Sequence, residues 1–204
     1  TLTVQNDANA GSQIANVSNS GAVGLLCQKV NEDSVLNATI NTGTNTSYTV
    51  DATASYNAGG LVGEMASDSS MTVSGSGLNG VTQTITGNYA GGIVGYAEDA
   101  YIDSEAADSD SKMTVNSNFK TSSTSLSGNN GSGYLFGYYK NTDTSDRTIK
   151  LSSFTELSVS ATNNGNAGGL IGVLEHKPTT AGTVFTIDGG AGVADGASIT
   201  QNLT

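Results

Sequence analysis

Tryptophan is absent from this chain, and cysteine, histidine and proline occur once each, as Cys27, His176 and Pro178. A single cysteine excludes an internal disulfide framework and every zinc site built from clustered cysteines. No serine stands in a recognisable nucleophile elbow beside a second histidine-bearing motif, so a hydrolytic triad has no support. The stretch Leu174-Glu-His-Lys-Pro178 reads instead as an exposed turn, because proline ends regular structure there. Basic residues are scarce too: seven Lys and Arg stand against 18 Asp and Glu, a net charge of -11, so a phosphate backbone is repelled and nucleic acid is a poor partner. Long apolar runs are missing, which removes a membrane-inserted helix. The first residues, TLTVQNDANAG, show neither Met nor a basic leader, and the chain is expected to be a mature or excised fragment.

What is present is polarity without charge. Only 12% of the 204 residues are charged, and the remaining polarity comes from Ser, Thr, Asn and 27 Gly, a composition that argues against ordinary charge-rich disorder. A compact aromatic core is not expected, since aromatics make up 6% of the chain. The backbone must therefore be paired in some extended, repetitive way.

One phrase recurs. Ala58-Gly-Gly-Leu-Val-Gly63, Ala90-Gly-Gly-Ile-Val-Gly95 and Ala167-Gly-Gly-Leu-Ile-Gly172 are joined by two degraded copies, Ala22-Val-Gly-Leu-Leu-Cys27 and Ser132-Gly-Tyr-Leu-Phe-Gly137. Their last positions are 36, 32, 42 and 35 residues apart, a spacing that marks a stacked array. Between copies two further segments recur, both with the two-residue alternation of strands. The first runs SVLNATI from Ser34, SMTVSGS from Ser70, KMTVNSN from Lys112, TIKLSSF from Thr148 and TVFTIDG from Thr183. The second runs SYTVDATA from Ser47, VTQTITG from Val81, STSLSG from Ser123, ELSVSAT from Glu156 and ASITQNLT from Ala197. TLTVQN and SQIANVS fit an incomplete preceding unit.

Three strands per unit and almost no helix signal predict an all-β fold, a right-handed parallel β-helix of about five three-strand rungs; a β-propeller-like array is the alternative. The whole chain, 1–204, is then one domain with units near 1–21, 22–57, 58–89, 90–131, 132–166 and 167–204. Taken as a strand, the glycine phrase is apolar on both faces and is expected to be buried on both. Its glycines permit close backbone approach or a tight bend. Leu25, Leu61, Ile93, Leu135 and Leu170 are expected to form one aliphatic ladder, and Leu26, Val62, Val94, Phe136 and Ile171 a second. Cys27, in the last glycine position, is expected to be buried and inert.

The GGLVG, GGIVG and GGLIG phrases resemble the GLUG motifs of large extracellular bacterial proteins, adhesins among them. The resemblance covers five short stretches and implies a bacterial cell-surface setting and a non-enzymatic adhesin or display role, with an extracellular glycan or protein as partner. A carbohydrate-active β-helix, lyase or hydrolase, is the alternative, and it requires two or more carboxylates converging on one face. Neighbouring domains or an oligomer contact are expected to cover the open ends of the stack.

Two side-chain groupings deserve a place in the expectation. The acidic stretch EDAYIDSEAADSDSK contains Glu98, Asp99, Asp103, Glu105, Asp108 and Asp110, a supply of hard oxygen ligands that makes calcium the one candidate cofactor, with Asp99, Asp103, Glu105, Asp108 and Asp110 as its candidate ligands; the spacing matches no EF-hand, and a solvated insertion loop is the plainer reading. In the second strand segment, Thr49, Thr84, Ser125, Ser158 and Thr200 are aligned as one hydroxyl row, with Asp51, Thr86, Ser127, Ser160 and Asn202 as the next. These are ordinary solvent-facing residues of a polar sheet.

Overall fold

The computed structural model describes residues 2–5, 16–41, 47–52, 56–77, 81–100, 111–115, 121–142, 147–151, 156–163, 165–176, 185–188 and 198–203. Among them there are strands and no helix. In chain order, β1 (Leu2–Gln5), β2 (Asn16–Asn19), β3 (Val23–Gly24) and β4 (Cys27–Val30) precede β5 (Val35–Asn41), β6 (Ser47–Ala52), β7 (Ala58–Gly59) and β8 (Val62–Met65). The third repeat holds β9 (Ser70–Gly77), β10 (Val81–Gly91) and β11 (Val94–Glu98), and the fourth β12 (Ser111–Val115), β13 (Thr121–Gly133) and β14 (Phe136–Asn141). Then come β15 (Arg147–Leu151), β16 (Glu156–Asn163), β17 (Asn166–Ala167), β18 (Ile171–His176), β19 (Phe185–Asp188) and β20 (Ser198–Leu203).

These strands build three sheets. The first is ordered β1-β5-β9-β12-β15-β19, the second β2-β6-β10-β13-β16-β20, and the third β4-β8-β11-β14-β18. Neighbours in each sheet are parallel and come from successive repeats. The alternating segments read from the sequence thus pair with their own equivalents, as expected for an all-β fold of parallel sheets. Among the described residues no strand pairs with another strand of its own repeat, as the strands of a propeller blade do. β10 and β13 are long because each runs on, without a break, into the stretch that forms the separate short strands β7 and β17 in other repeats. The unit limits expected at 89/90 and 131/132 fall inside these two strands.

The glycine phrase is not one strand. Ala58-Gly59 belongs to the second sheet, Gly60-Leu61 is a bend, and Val62 opens a strand of the third sheet, so the phrase turns a corner. The reason lies in the space around its glycines. A Cβ on Gly59 would lie 1.8 Å from the Val62 carbonyl oxygen, and Gly91 and Gly168 show the same 1.8 Å approach to the oxygens of Val94 and Ile171. The last glycine of the phrase meets the backbone of the preceding corner: its Cβ would lie 2.8 Å from Ala58 N at Gly95 and 2.7 Å from Ala90 N at Gly137. A side chain fits neither place, which is why the phrase recurs. The left-handed backbone conformation is taken up instead by Asp33 (φ 56°), Asp68 (φ 55°) and Asp99 (φ 44°), in turns that follow β4, β8 and β11.

The first copy is registered one residue from its expected alignment. Val23 pairs with Ala58 and Gly24 with Gly59, and Cys27 pairs with Val62 rather than standing opposite Gly63. Hydrogen bonds agree: Leu26 N donates to Leu61 O at 2.9 Å, as Leu61 N donates to Ile93 O at 2.9 Å. The first ladder is therefore Leu26, Leu61, Ile93, Leu135 and Leu170, and Cys27 takes an aliphatic position in the second. Gln28 occupies the place of the last glycine, and it is exposed. Cys27 is half-buried rather than buried, and burial pushes its thiol pKa up, away from reactive thiolate.

The core follows the two ladders. Leu61, Ile93, Leu135, Val62, Val94 and Phe136 are fully buried, joined by Met65, Met71, Ile85, Tyr134 and Tyr139. Leu26, Cys27, Leu170 and Ile171, in the outer copies, pack against this cluster only partly buried. Each fully buried aliphatic contributes about 1.5–3 kcal/mol relative to exposure, so among the described residues the middle repeats carry most of the apolar stabilisation.

Register also corrects the hydroxyl rows. Thr49, Thr84, Ser125 and Ser160 align, and Ser160 pairs with Asn202, while Ser158 pairs with Thr200. The expected alignment slips by two residues at β16, a shift that preserves which residues share a face and so leaves the alternation unchanged.

Candidate ligand-binding groove

The third sheet presents its outer face through a simple alternation. Met65, Ala97 and Tyr139 are buried, so their neighbours Glu64, Tyr96 and Tyr138 stand on the opposite side of β8, β11 and β14, half-buried. Pairing sets Lys29, Glu64, Tyr96, Tyr138 and Val173 in one row across the five strands. Two residues further on, Glu98, Lys140 and Glu175 form a second row of alternating charge. Opposite charges on directly paired positions stabilise a sheet.

The two rows lock each other. Tyr96 and Tyr138 stack with ring centroids 5.1 Å apart and planes 9° from parallel, and Tyr89, from β10, leans on both at 6.2 and 4.9 Å. Tyr96 Oη donates to Glu98 Oε2 at 3.2 Å, and Tyr138 Oη donates to Glu175. Lys140 Nζ closes onto the other Glu98 oxygen, Oε1. Glu98 therefore has both oxygens engaged. Contact with Glu98 raises the Lys140 pKa. Burial, then the Glu98 carboxylate, pushes the Tyr96 pKa up to about 12, and burial with the Glu175 hydrogen bond raises Tyr138 as well.

These shifts give an alkaline signature. A tyrosine whose pKa is higher folded than unfolded holds its proton more tightly in the folded chain, so its stabilisation is complete below about pH 10 and is lost as the pH climbs towards 12. The urea midpoint of the wild type is expected to fall across that window, and Tyr96→Phe to fall less steeply. Equal slopes would remove Tyr96 from the network.

Beside the stack lie two clefts. One, of about 180 Å³, is lined by Lys29, Glu32, Glu64, Ser67, Tyr96 and Glu98. The other, of about 530 Å³, is lined by Gln28, Lys29, Asn31, Tyr56 and Glu64. Lys29 and Glu64 belong to both. Because Tyr138 covers one face of the Tyr96 ring along the row, the other face looks towards Glu64 and the smaller cleft. Tyr56, 44% exposed, walls the larger one.

Of the residues singled out from the sequence, Glu98 lines the smaller cleft and the others fall elsewhere. Asp99 accepts hydrogen bonds from Thr142 N and Thr142 Oγ1, both at 2.5 Å, so its carboxylate fastens the turn after β11 to the end of β14. Asp103, Glu105, Asp108 and Asp110 lie outside the described residues. Among the described residues no three of His, Cys, Asp and Glu approach closely enough to hold a metal ion. His176, expected in a turn, ends β18 and pairs with Asn141; Pro178 lies outside the described residues. Of the groove residues the sequence singles out Glu98 alone, within the acidic stretch; a signal for the others exists, since the position after the last glycine of the phrase reads Glu64, Tyr96, Tyr138 and Val173. Among the described residues no helix is long and apolar enough to cross a membrane. Comparison with protein-family models, with curated proteins and with solved structures gives no match to this chain.

Proposed function

We propose that the chain winds as a right-handed parallel β-helix and serves as a non-enzymatic, extracellular display module of a bacterial surface protein, whose outer groove binds a glycan. The strand order supports the winding: one strand for each of three parallel sheets, repeat after repeat, with glycine corners between two of them. The surface setting rests on the resemblance of the glycine phrases to GLUG motifs. The observation that carries the ligand is an aromatic wall in each of two clefts, Tyr56 in one and Tyr96 in the other, with the polar pair Lys29 and Glu64 lining both. A sugar ring has apolar C–H faces that pack on an aromatic ring and hydroxyls that bond to amides, carboxylates and ammonium groups, which matches that combination. The stack and its carboxylate partners fix the Tyr96 ring before any ligand arrives, which lowers the ordering cost of binding.

A glycan array followed by calorimetry tests the reading. The wild type is expected to bind at least one oligosaccharide, and Tyr96→Ala to weaken it by about tenfold or more, about 1.4 kcal/mol. Absence of binding to every glycan overturns the reading.

A second reading, a glycoside-cleaving site, is favoured by one observation: Glu32, Glu64 and Glu98 line the same cleft. It ranks below the first because Glu98 has both oxygens engaged and Glu64 accepts from Asn57, positions suited to holding a shape rather than moving a proton. New reducing ends or unsaturated products from a polysaccharide panel, abolished in Glu98→Gln, would reverse the order.

A further inference from the structure

Lys29 and Glu64 are directly paired across β4 and β8, where the two clefts meet. Lys29 Nζ lies 3.9 Å from Glu64 Oε2, close enough for attraction and too far for a hydrogen bond, which needs about 2.7–3.2 Å. Another cross-strand pair of the sheet, Lys140 with Glu98, is closed into direct contact. Glu64 is nonetheless held in place, because Asn57 Nδ2 donates to its Oε1 at 2.9 Å. Its Oε2 is thus a fixed acceptor turned towards an ammonium that does not reach it. Lys29 has 48% of its side chain exposed, and its ammonium borders the same gap. An exposed pair of this kind contributes little by itself, so a ligand that enters it displaces almost nothing.

Building on the glycan reading, we propose that Lys29 and Glu64 are the diol-recognition point of the groove. A hydroxyl both donates and accepts, so two adjacent hydroxyls of one sugar ring satisfy the pair together, one accepting from Lys29 Nζ and the other donating to Glu64 Oε2. Hydrogen bonds to charged partners are the stronger kind, and they set the ring's orientation where the two clefts meet. A purely anionic group would satisfy Lys29 and be repelled by Glu64 and Glu32, and the net charge of -11 opposes its approach. The ligand class is therefore a neutral glycan bearing vicinal hydroxyls, rather than a sulfated or carboxylated one.

The test uses calorimetry with cellohexaose, xylohexaose and mannohexaose, each intact and after periodate cleavage of its vicinal diols. Wild type is compared with Lys29→Met, Glu64→Gln and Tyr96→Ala, and far-UV circular dichroism with the melting temperature reports the fold of each. For a probe that the wild type binds, Lys29→Met and Glu64→Gln are each expected to lose about tenfold in affinity while melting like the wild type. Periodate treatment is expected to lose a similar factor and to erase the difference between wild type and these two variants. Unchanged binding in Lys29→Met and Glu64→Gln, with Tyr96→Ala still weakened, overturns the diol point and leaves the glycan reading standing. Failure of every intact probe to bind a wild type that binds another glycan on the array overturns the diol point alone, and failure on the array as well overturns both.

Discussion

Gly91→Ala is expected to remove most of the stability of this fold, about 3 kcal/mol or more, although it adds a single methyl group. The added Cβ would sit 1.8 Å from the Val94 carbonyl oxygen, 2.5 Å from its carbon and 2.9 Å from Gly137 N. All three atoms are backbone, so no rotamer change relieves the contact. The corner between the second and third sheets would have to open, and Gly92 N to Gly133 O, at 3.1 Å, and Val94 N to Leu135 O, at 2.9 Å, are the bonds that hold it shut. Gly165→Ala is the companion measurement: that residue is exposed, and its added Cβ meets nothing nearer than 3.0 Å, so a loss of about 1 kcal/mol or less is expected. Urea unfolding reads both, as a shift in midpoint at constant slope. A loss below about 1 kcal/mol for Gly91→Ala would show that the corner relaxes freely and that the repeated glycines are there for another reason.

Phe136→Ala is expected to cost about 3–5 kcal/mol, the range for a large buried side chain whose cavity cannot collapse. Phe136 has no exposed surface, stands in the second ladder between Val94 and Ile171, and meets Tyr139 edge-on with ring centroids 4.9 Å apart. The backbone on either side is tied in parallel pairing to both neighbours, so inward relaxation would break ladder bonds. Ile171→Ala, one strand further along the same row, removes a side chain that is only partly buried, and its cost is expected at or below the low end of the same scale, about 2 kcal/mol. Equal losses at the two sites would mean that burial does not fall off towards the outer repeats.

Much of the fold was legible in the chain because the informative features lie within one repeat. Apolar and polar residues alternate along SMTVSGS and VTQTITG, and that pattern alone selects a strand. The spacing of Ala-Gly-Gly-aliphatic-aliphatic-Gly located Leu61, Ile93 and Leu135, which are all buried. The bend inside the phrase was not legible, since glycine is compatible with both a close-packed strand and a corner, and only the 1.8 Å approach of a carbonyl three residues on distinguishes them. The register of the first copy was missed for a related reason. Aligning Cys27 with Gly63 preserves the textual match, whereas the hydrogen bond from Leu26 N to Leu61 O follows the position of Gly24.

The groove was the least visible feature. Glu64, Tyr96 and Tyr138 are 32 and 42 residues apart, and Tyr89 comes from a different sheet, so no local pattern joins them. Asp99 drew attention for its acidic neighbours, yet it serves a turn, because its carboxylate reaches Thr142 on the next repeat.

The chain by itself determined the alternating strands of the first two sheets, their order and the aliphatic positions of the core in every copy but the first, because residue alternation and glycine spacing act over a few neighbouring residues. The tertiary structure alone decided where the backbone turns, which copy sits one residue out of step, and which side chains meet as Tyr96 meets Tyr138 and Lys29 faces Glu64. Those outcomes depend on the pairing of distant strands, and pairing is settled by backbone hydrogen bonds and close approach, which no single repeat encodes.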